Sequence, residues 1–102
     1  MRYYIYILRC RGDTLYTGIT TDIERRFSQH TGAEKGGAKY TRTHPPRELA
    51  ALWSTEGRSG ASKAEWRIKH LPRSEKLRLI QTPELLSQLL DDPELICEKD
   101  RI

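Results

Sequence analysis

Tyr6, Tyr16, Arg26 and His30 fall within one stretch, Tyr3 to His30, whose pattern can gather them at one edge of a small sheet. Tyr6 and Tyr16 sit in two runs of β-branched, aromatic and long apolar residues, 4–8 and 15–20, on either side of Arg11-Gly12-Asp13-Thr14. A short, polar, glycine-bearing segment between such runs suits a β-hairpin loop. Arg26 and His30 are four residues apart in a stretch with helical signals, so they share one side of a helix. A second group is cationic: Lys35 and Lys39 lie in the glycine-broken segment 31–39, and Tyr40 and Arg42 follow. Amides and cations on such a loop could clamp the phosphate oxygens of a nucleic-acid backbone, although an ordinary solvated loop has the same composition. The last chemical group is Glu65, at the border of an apolar face formed by Ala61, Ala64, Ile68 and Leu71. Its simplest partner is Lys69, one helical turn on.

The elements that must hold these residues can be read in order. Thr21 as N-cap with Glu24 three residues later forms a capping box, and Ile23 and Phe27 supply an apolar stripe for docking on the sheet. Pro45-Pro46 stiffens the approach to a third strand over 48–54, which contains Trp53. Residues 56–60 form a turn, with Ser59 or Ser62 to cap the helix that carries Glu65. Pro72 ends that helix and Ser74 caps another containing Leu77, Leu79 and Ile80. Thr82-Pro83-Glu84 is a further start signal, for a helix from Pro83 to about Leu90, and Asp91-Asp92-Pro93 stops it before a charged, frayed tail. The expected fold is α/β in the broad sense (α+β): a small three-stranded antiparallel sheet flanked by helices, with an extra C-terminal helix. Residues 1–82 form the body, and 83–102 pack on it or fray from it.

At 102 residues the chain is one small domain, without repeat or linker. Its net charge of +4 hides an asymmetry. Residues 1–82 hold 16 Lys and Arg against 8 Asp and Glu, a balance of +8, whereas 83–102 hold 2 against 6, a balance of −4. A basic body suits a polyanionic partner such as nucleic acid. Cys10 and Cys97 show neither zinc-site spacing nor a disulfide framework, and Cys10 reads as a small strand-end hydrophobe. With no apolar run of membrane-span length and no signal-peptide pattern, the expectation is a cytoplasmic protein, monomeric, without a membrane partner. The Leu-rich helix after Pro83 either caps the sheet or docks a protein partner.

These residues resemble the GIY-YIG nucleases. Tyr4-Ile5-Tyr6 stands where that family has Gly-Ile-Tyr, and Tyr16-Thr17-Gly18 stands where it has Tyr-Ile-Gly. The Arg26 helix, with His30 a turn later, matches the family's arginine helix, and Glu65 falls where the family carries its metal-binding glutamate. The resemblance spans about residues 3–80 and is nearest to small stand-alone bacterial proteins of the YhbQ type. The chain is also similar to the catalytic domain of Slx-type structure-selective endonucleases. It departs from the family at Tyr4, at Thr17 and in containing no Asn.

The resemblance implies a metal-dependent endonuclease hydrolysing DNA phosphodiester bonds, acting on branched or damaged structures. It implies Tyr6 as general base or water-orienting group, with a pKa lowered by Arg26, and Tyr16 as holder of water or phosphate in the same network. Arg26 would stabilise developing phosphate charge, His30 would hydrogen-bond a tyrosine or phosphate, and Glu65 would bind a single divalent cation, Mg²⁺. Lys35, Lys39, Tyr40 and Arg42 would contact the nucleic-acid backbone. A nucleic-acid-binding accessory protein with a silent or partner-dependent site is the alternative.

Overall fold

The computed structural model describes residues 1–32, 36 and 39–98. Its elements are β1 (Arg2–Cys10), β2 (Thr14–Thr20), α1 (Ile23–Thr31), α2 (Lys39–Thr43), β3 (Pro46–Glu56), α3 (Arg58–Lys69), α4 (Arg73–Gln81), α5 (Leu85–Leu90) and β4 (Ile96–Cys97). The sheet is antiparallel in the order β2-β1-β3-β4. β1 is the central strand of the hairpin-plus-one arrangement and the most deeply covered, with Ile5, Tyr6, Ile7, Leu8 and Cys10 all essentially inaccessible.

Alternation along β1 and β3 divides the core between the two faces of the sheet. Ile5, Ile7, Ala51 and Trp53 meet Ala61, Ala64 and Ile68 of α3, with Leu79, Leu86 and Leu95 completing that side. Tyr6, Leu8, Cys10 and Leu52 face the other way, against Ile23 of α1, with Tyr16, Phe27 and Tyr40 packed around them. The residues with chemical potential on β1 and β2 therefore lie under α1 and α2, while α3 to α5 cover the opposite face. Both predicted helical faces, Ile23 with Phe27 and Ala61 with Ala64 and Ile68, pack inward.

The sheet has four strands rather than three. Ile96–Cys97 pairs with Trp53 and Ser54, and the Glu98 N–H donates to the Leu52 carbonyl at 2.8 Å. Part of the segment expected to fray thus covers the outer edge of β3, whose unpaired amides would otherwise be exposed. A two-residue strand has too short a pattern to read. β3 itself extends beyond 48–54 at both ends because β1 offers ladder partners from Arg2 opposite Glu56 to Cys10 opposite Pro46.

Helix starts shift in the same local way. Asp22, not Thr21, caps α1: its backbone is extended and its carboxylate accepts the Arg25 N–H at 3.1 Å. β2 runs through Thr20, whose hydroxyl accepts the Asp22 N–H, so the chain can turn into the helix only one residue later. Neither Ser59 nor Ser62 caps α3, which starts at Arg58 after Gly57 at φ 86°, a conformation glycine adopts without steric cost. Pro72, extended, precedes α4 and leaves Ser74 inside it. α5 begins at Leu85, two residues later than expected, after a turn in which the Pro83 carbonyl also accepts the Trp53 indole N–H at 2.7 Å. Within α5, Leu86 is fully buried and Leu89 is 42% exposed, so the helix caps the sheet on one side.

Candidate active site

The site begins with a missing side chain. Gly18 of β2 stands directly opposite Tyr6 in the β1–β2 ladder. A Cβ on Gly18 would overlap the Tyr6 hydroxyl and lie 2.6 Å from Cζ, so the phenol lies across the space that glycine leaves. Glycine inside a strand marks such close approaches. The ring of Tyr6 is 99% covered, and its hydroxyl is aimed at α1.

There the hydroxyl meets His30 Nε2 at 2.9 Å, and His30 Nδ1 meets the Thr41 hydroxyl at 2.8 Å. Both ring nitrogens are engaged and the imidazole is buried. Burial, then the charge of Arg26, pushes the His30 pKa from 6.5 down to about 4, so the ring is neutral at physiological pH. A neutral imidazole donates from one nitrogen and accepts at the other. With the Tyr6 O–H donating to Nε2, Nδ1–H donates to Thr41; the other tautomer reverses both bonds.

The electrostatics of Tyr6 differ from the expectation of a lowered pKa. Burial pushes the phenol up to about 12, outweighing the Arg26 guanidinium, which pulls it down. Tyr16 and, weakly, Glu65 add to the rise. Ionising such a phenol at neutral pH costs on the order of 7 kcal/mol, at about 1.4 kcal/mol per pKa unit. Tyr6 is thus a protonated, hydrogen-bonding group in the free protein. Arg26, half-buried on α1, donates from Nη1 to Gln29 Oε1 and to the Gly36 carbonyl, both at 2.8 Å.

Tyr16 closes the cluster, with its ring centroid 6.4 Å from Tyr6 and 5.0 Å, edge-on, from His30. Tyr40 stacks on Tyr16 at 5.8 Å, and His44 stacks on Tyr40 at 4.4 Å. Tyr40 belongs to the one-turn α2 rather than to a loop, as do the exposed Lys39 and Arg42. That turn delivers Thr41 inward to His30 while it turns the two cations outward. Lys35 lies outside the described residues.

Glu65 projects from α3, on the other face of the sheet from His30, yet its charge reaches Tyr6. Its carboxylate is half-buried and pairs with Lys69 Nζ at 3.5 Å, the helical partner expected from sequence. Among the described residues no three His, Cys, Asp or Glu gather into a metal cage. A single accessible carboxylate near a phenol suits a hard cation that keeps most of its waters, as Mg²⁺ does. The structure therefore brings Tyr6, Tyr16, Arg26, His30 and Tyr40 together, with Glu65 in electrostatic reach and Lys39 and Arg42 peripheral.

Two participants were not read from sequence, Thr41 and His44, because nothing in their spacing ties them to His30 or Tyr40. Gly18 was read only as part of the Tyr16-Thr17-Gly18 motif, without the close approach to Tyr6 that a glycine within a strand-like run can signal.

Residues 2–78 match the family model of the GIY-YIG catalytic domain. A UPF0213 protein of Oceanobacillus iheyensis is 46% identical over 83 residues, covering 81% of this chain and 94% of the relative. Another, from Syntrophus aciditrophicus, is 48% identical over 82 residues, covering 79% and 93%. The solution NMR structure of UPF0213 protein BH0048 from Bacillus halodurans is 41% identical and superposes with a TM-score of 0.52, covering 79% of this chain and 84% of that one. The facing Tyr6 and Gly18, the arginine helix with its buried histidine and the glutamate on α3 occupy that matched span, and the chain belongs to the GIY-YIG catalytic domain family, a family of endonucleases.

Proposed function

We propose that this protein hydrolyses DNA phosphodiester bonds with one divalent cation, Mg²⁺, held at Glu65, and that it selects branched or damaged DNA by backbone geometry. The observation that carries the reading is the convergence of Tyr6, Tyr16, Arg26 and His30 on one point of the sheet. When bound, the cation would supply Lewis-acid polarisation of the phosphate and of a water. The chain's own residues supply the rest. The neutral Tyr6 hydroxyl, oriented by His30, holds a water by its lone pair, and Thr41 fixes the imidazole that orients Tyr6. Tyr16 donates to the same water or to a phosphate oxygen. Arg26, permanently charged, stabilises negative charge as it builds on the phosphoryl oxygens. Lys35, Lys39, Tyr40 and Arg42 would line the backbone path around this centre.

The second reading is a nucleic-acid-binding accessory protein whose site needs a partner. It is favoured by the high pKa of Tyr6 and by the absence, among the described residues, of any group of three His, Cys, Asp or Glu that could hold a metal ion. A nuclease assay on plasmid, single-stranded, flap and four-way DNA separates the two readings. With Mg²⁺ or Mn²⁺ present, cleavage that disappears in EDTA and in Glu65→Ala supports hydrolysis. Salt-sensitive binding without cleavage on any substrate favours the accessory protein.

A further inference from the structure

A groove of about 200 Å³ opens beside the catalytic cluster, lined by Leu15, Tyr16, Thr17, Tyr40, Lys69 and Lys76. It crosses β2, the strand at the free edge of the sheet. Its two walls come from opposite faces: Tyr16 and Tyr40 from the side of α1 and α2, and Lys69 and Lys76 from α3 and α4. Lys69 is the last residue of α3, and Lys76 lies on the first turn of α4. The Pro72 break between the two helices brings both lysines to the same groove.

We propose that this groove binds the phosphodiester next to the scissile one, with Lys69 and Lys76 as its cations. The inference rests on the hydrolytic reading above and adds to it a substrate-backbone subsite. Five observations support it. Tyr16 belongs both to the groove and to the cluster around Tyr6 and His30, so the two are continuous. The lining is mostly apolar, suited to a deoxyribose face, and includes two lysine side chains, whose flexible stems can carry an ammonium group to phosphate oxygens. Lys69 Nζ also lies 3.5 Å from Glu65, which holds one cation at the junction between groove and catalytic centre. The outer edge of β2 adds backbone N–H groups that, among the described residues, no strand of the sheet pairs. Residues 58–78, which contain both lysines, hold seven Lys and Arg against two Glu, so the field there favours a polyanion.

The test is DNA binding by the full chain in EDTA, with a fluorescent flap or four-way junction, over a salt series from about 50 to 200 mM. Wild type is compared with Lys69→Met, Lys76→Met, Lys76→Arg and Lys63→Met, each checked for fold by circular dichroism. Lys63 is exposed on α3 and does not line the groove, so it reports the general field. The expected result is a loss of affinity in Lys69→Met and Lys76→Met, with the salt slope falling by about 1 for each lysine removed. Lys76→Arg should restore most of the affinity, and Lys63→Met should lose less. Equal losses in Lys63→Met and Lys76→Met, or wild-type binding in both groove variants, overturn the subsite and leave the nuclease reading standing. Groove-dependent binding without cleavage under any metal supports a backbone site and overturns hydrolysis instead. Absence of any binding overturns both.

Discussion

Tyr6 and Gly18 act as a pair, and changing either should disturb the other. Gly18→Ala puts a methyl group into the Tyr6 hydroxyl and ring, which cannot retreat through the packed core behind it. Overpacking of this kind costs about 1–3 kcal/mol. We expect a lower urea midpoint and cleavage reduced at least tenfold, since about 1.4 kcal/mol in the barrier is already tenfold; native stability and activity in the variant would exclude the close-packed pair. Arg26→Ala should abolish cleavage while circular dichroism stays native, because Arg26 is half-buried and outside the main core. His30 adds a pH dependence. Its folded pKa of about 4 lies below the 6.5 of the free side chain, so the unfolded chain binds the extra proton first. The His30 contribution is intact above pH 6.5, is lost between 6.5 and 4, and levels off below. That contribution is about 3.5 kcal/mol at most, at about 1.4 kcal/mol per unit. Urea unfolding of wild type and His30→Gln at several pH values checks it: the variant should lose that part of the slope.

At the scale of elements, α1 and α2 act as one lid on the tyrosine face, joined through the His30–Thr41 bond and the stacked Tyr16 and Tyr40. Thr41→Val removes the hydroxyl that meets Nδ1 and leaves a buried nitrogen without that partner, a change worth about 1–3 kcal/mol. Its NMR signature should be a shift of the His30 tautomer balance. α5 serves the opposite face. Leu86 is wholly buried and Leu89 largely accessible, so Leu86→Ala should cost about 2–5 kcal/mol and Leu89→Ala less than about 0.5 kcal/mol in chemical denaturation. Equal small effects would mean that α5 does not cap the sheet. The exposed ion pairs, such as Arg9 with Asp13 and Glu48 and Arg73 with Asp13, tie the hairpin turn to its neighbours but contribute little individually.

The whole molecule presents a basic body and an acidic C-terminal segment on one small fold. Binding to DNA should therefore be strongly salt-dependent, with affinity falling linearly in log-log form as counterions are released. On the proposed reading, in which the chain selects DNA by backbone geometry, discrimination would come from the shape and deformability of the backbone. A four-way junction and a duplex of equal length should then differ in affinity, while permuting the sequence of either should change little.

Local chemistry made much of this legible in advance. Runs of β-branched, aromatic and apolar residues around a glycine-bearing turn specify the β1–β2 hairpin, and i, i+4 spacing specifies the inward faces of α1 and α3, because both signals depend only on near neighbours. The same local patterns place Tyr6, Tyr16, Arg26 and His30 near one another, whereas Glu65 stands out only through the resemblance to the family. Tertiary structure alone decided the rest. Burial, which no local pattern measures, raises Tyr6 where a neighbouring cation suggested lowering, and holds His30 neutral. Thr41 reaches His30, Ile96–Cys97 completes the sheet, and Lys69 and Lys76 reach Tyr16 across β2 only after distant segments pack together. Contacts between residues far apart in sequence carry no periodicity, and the electrostatic environment of a side chain depends on everything the fold places around it.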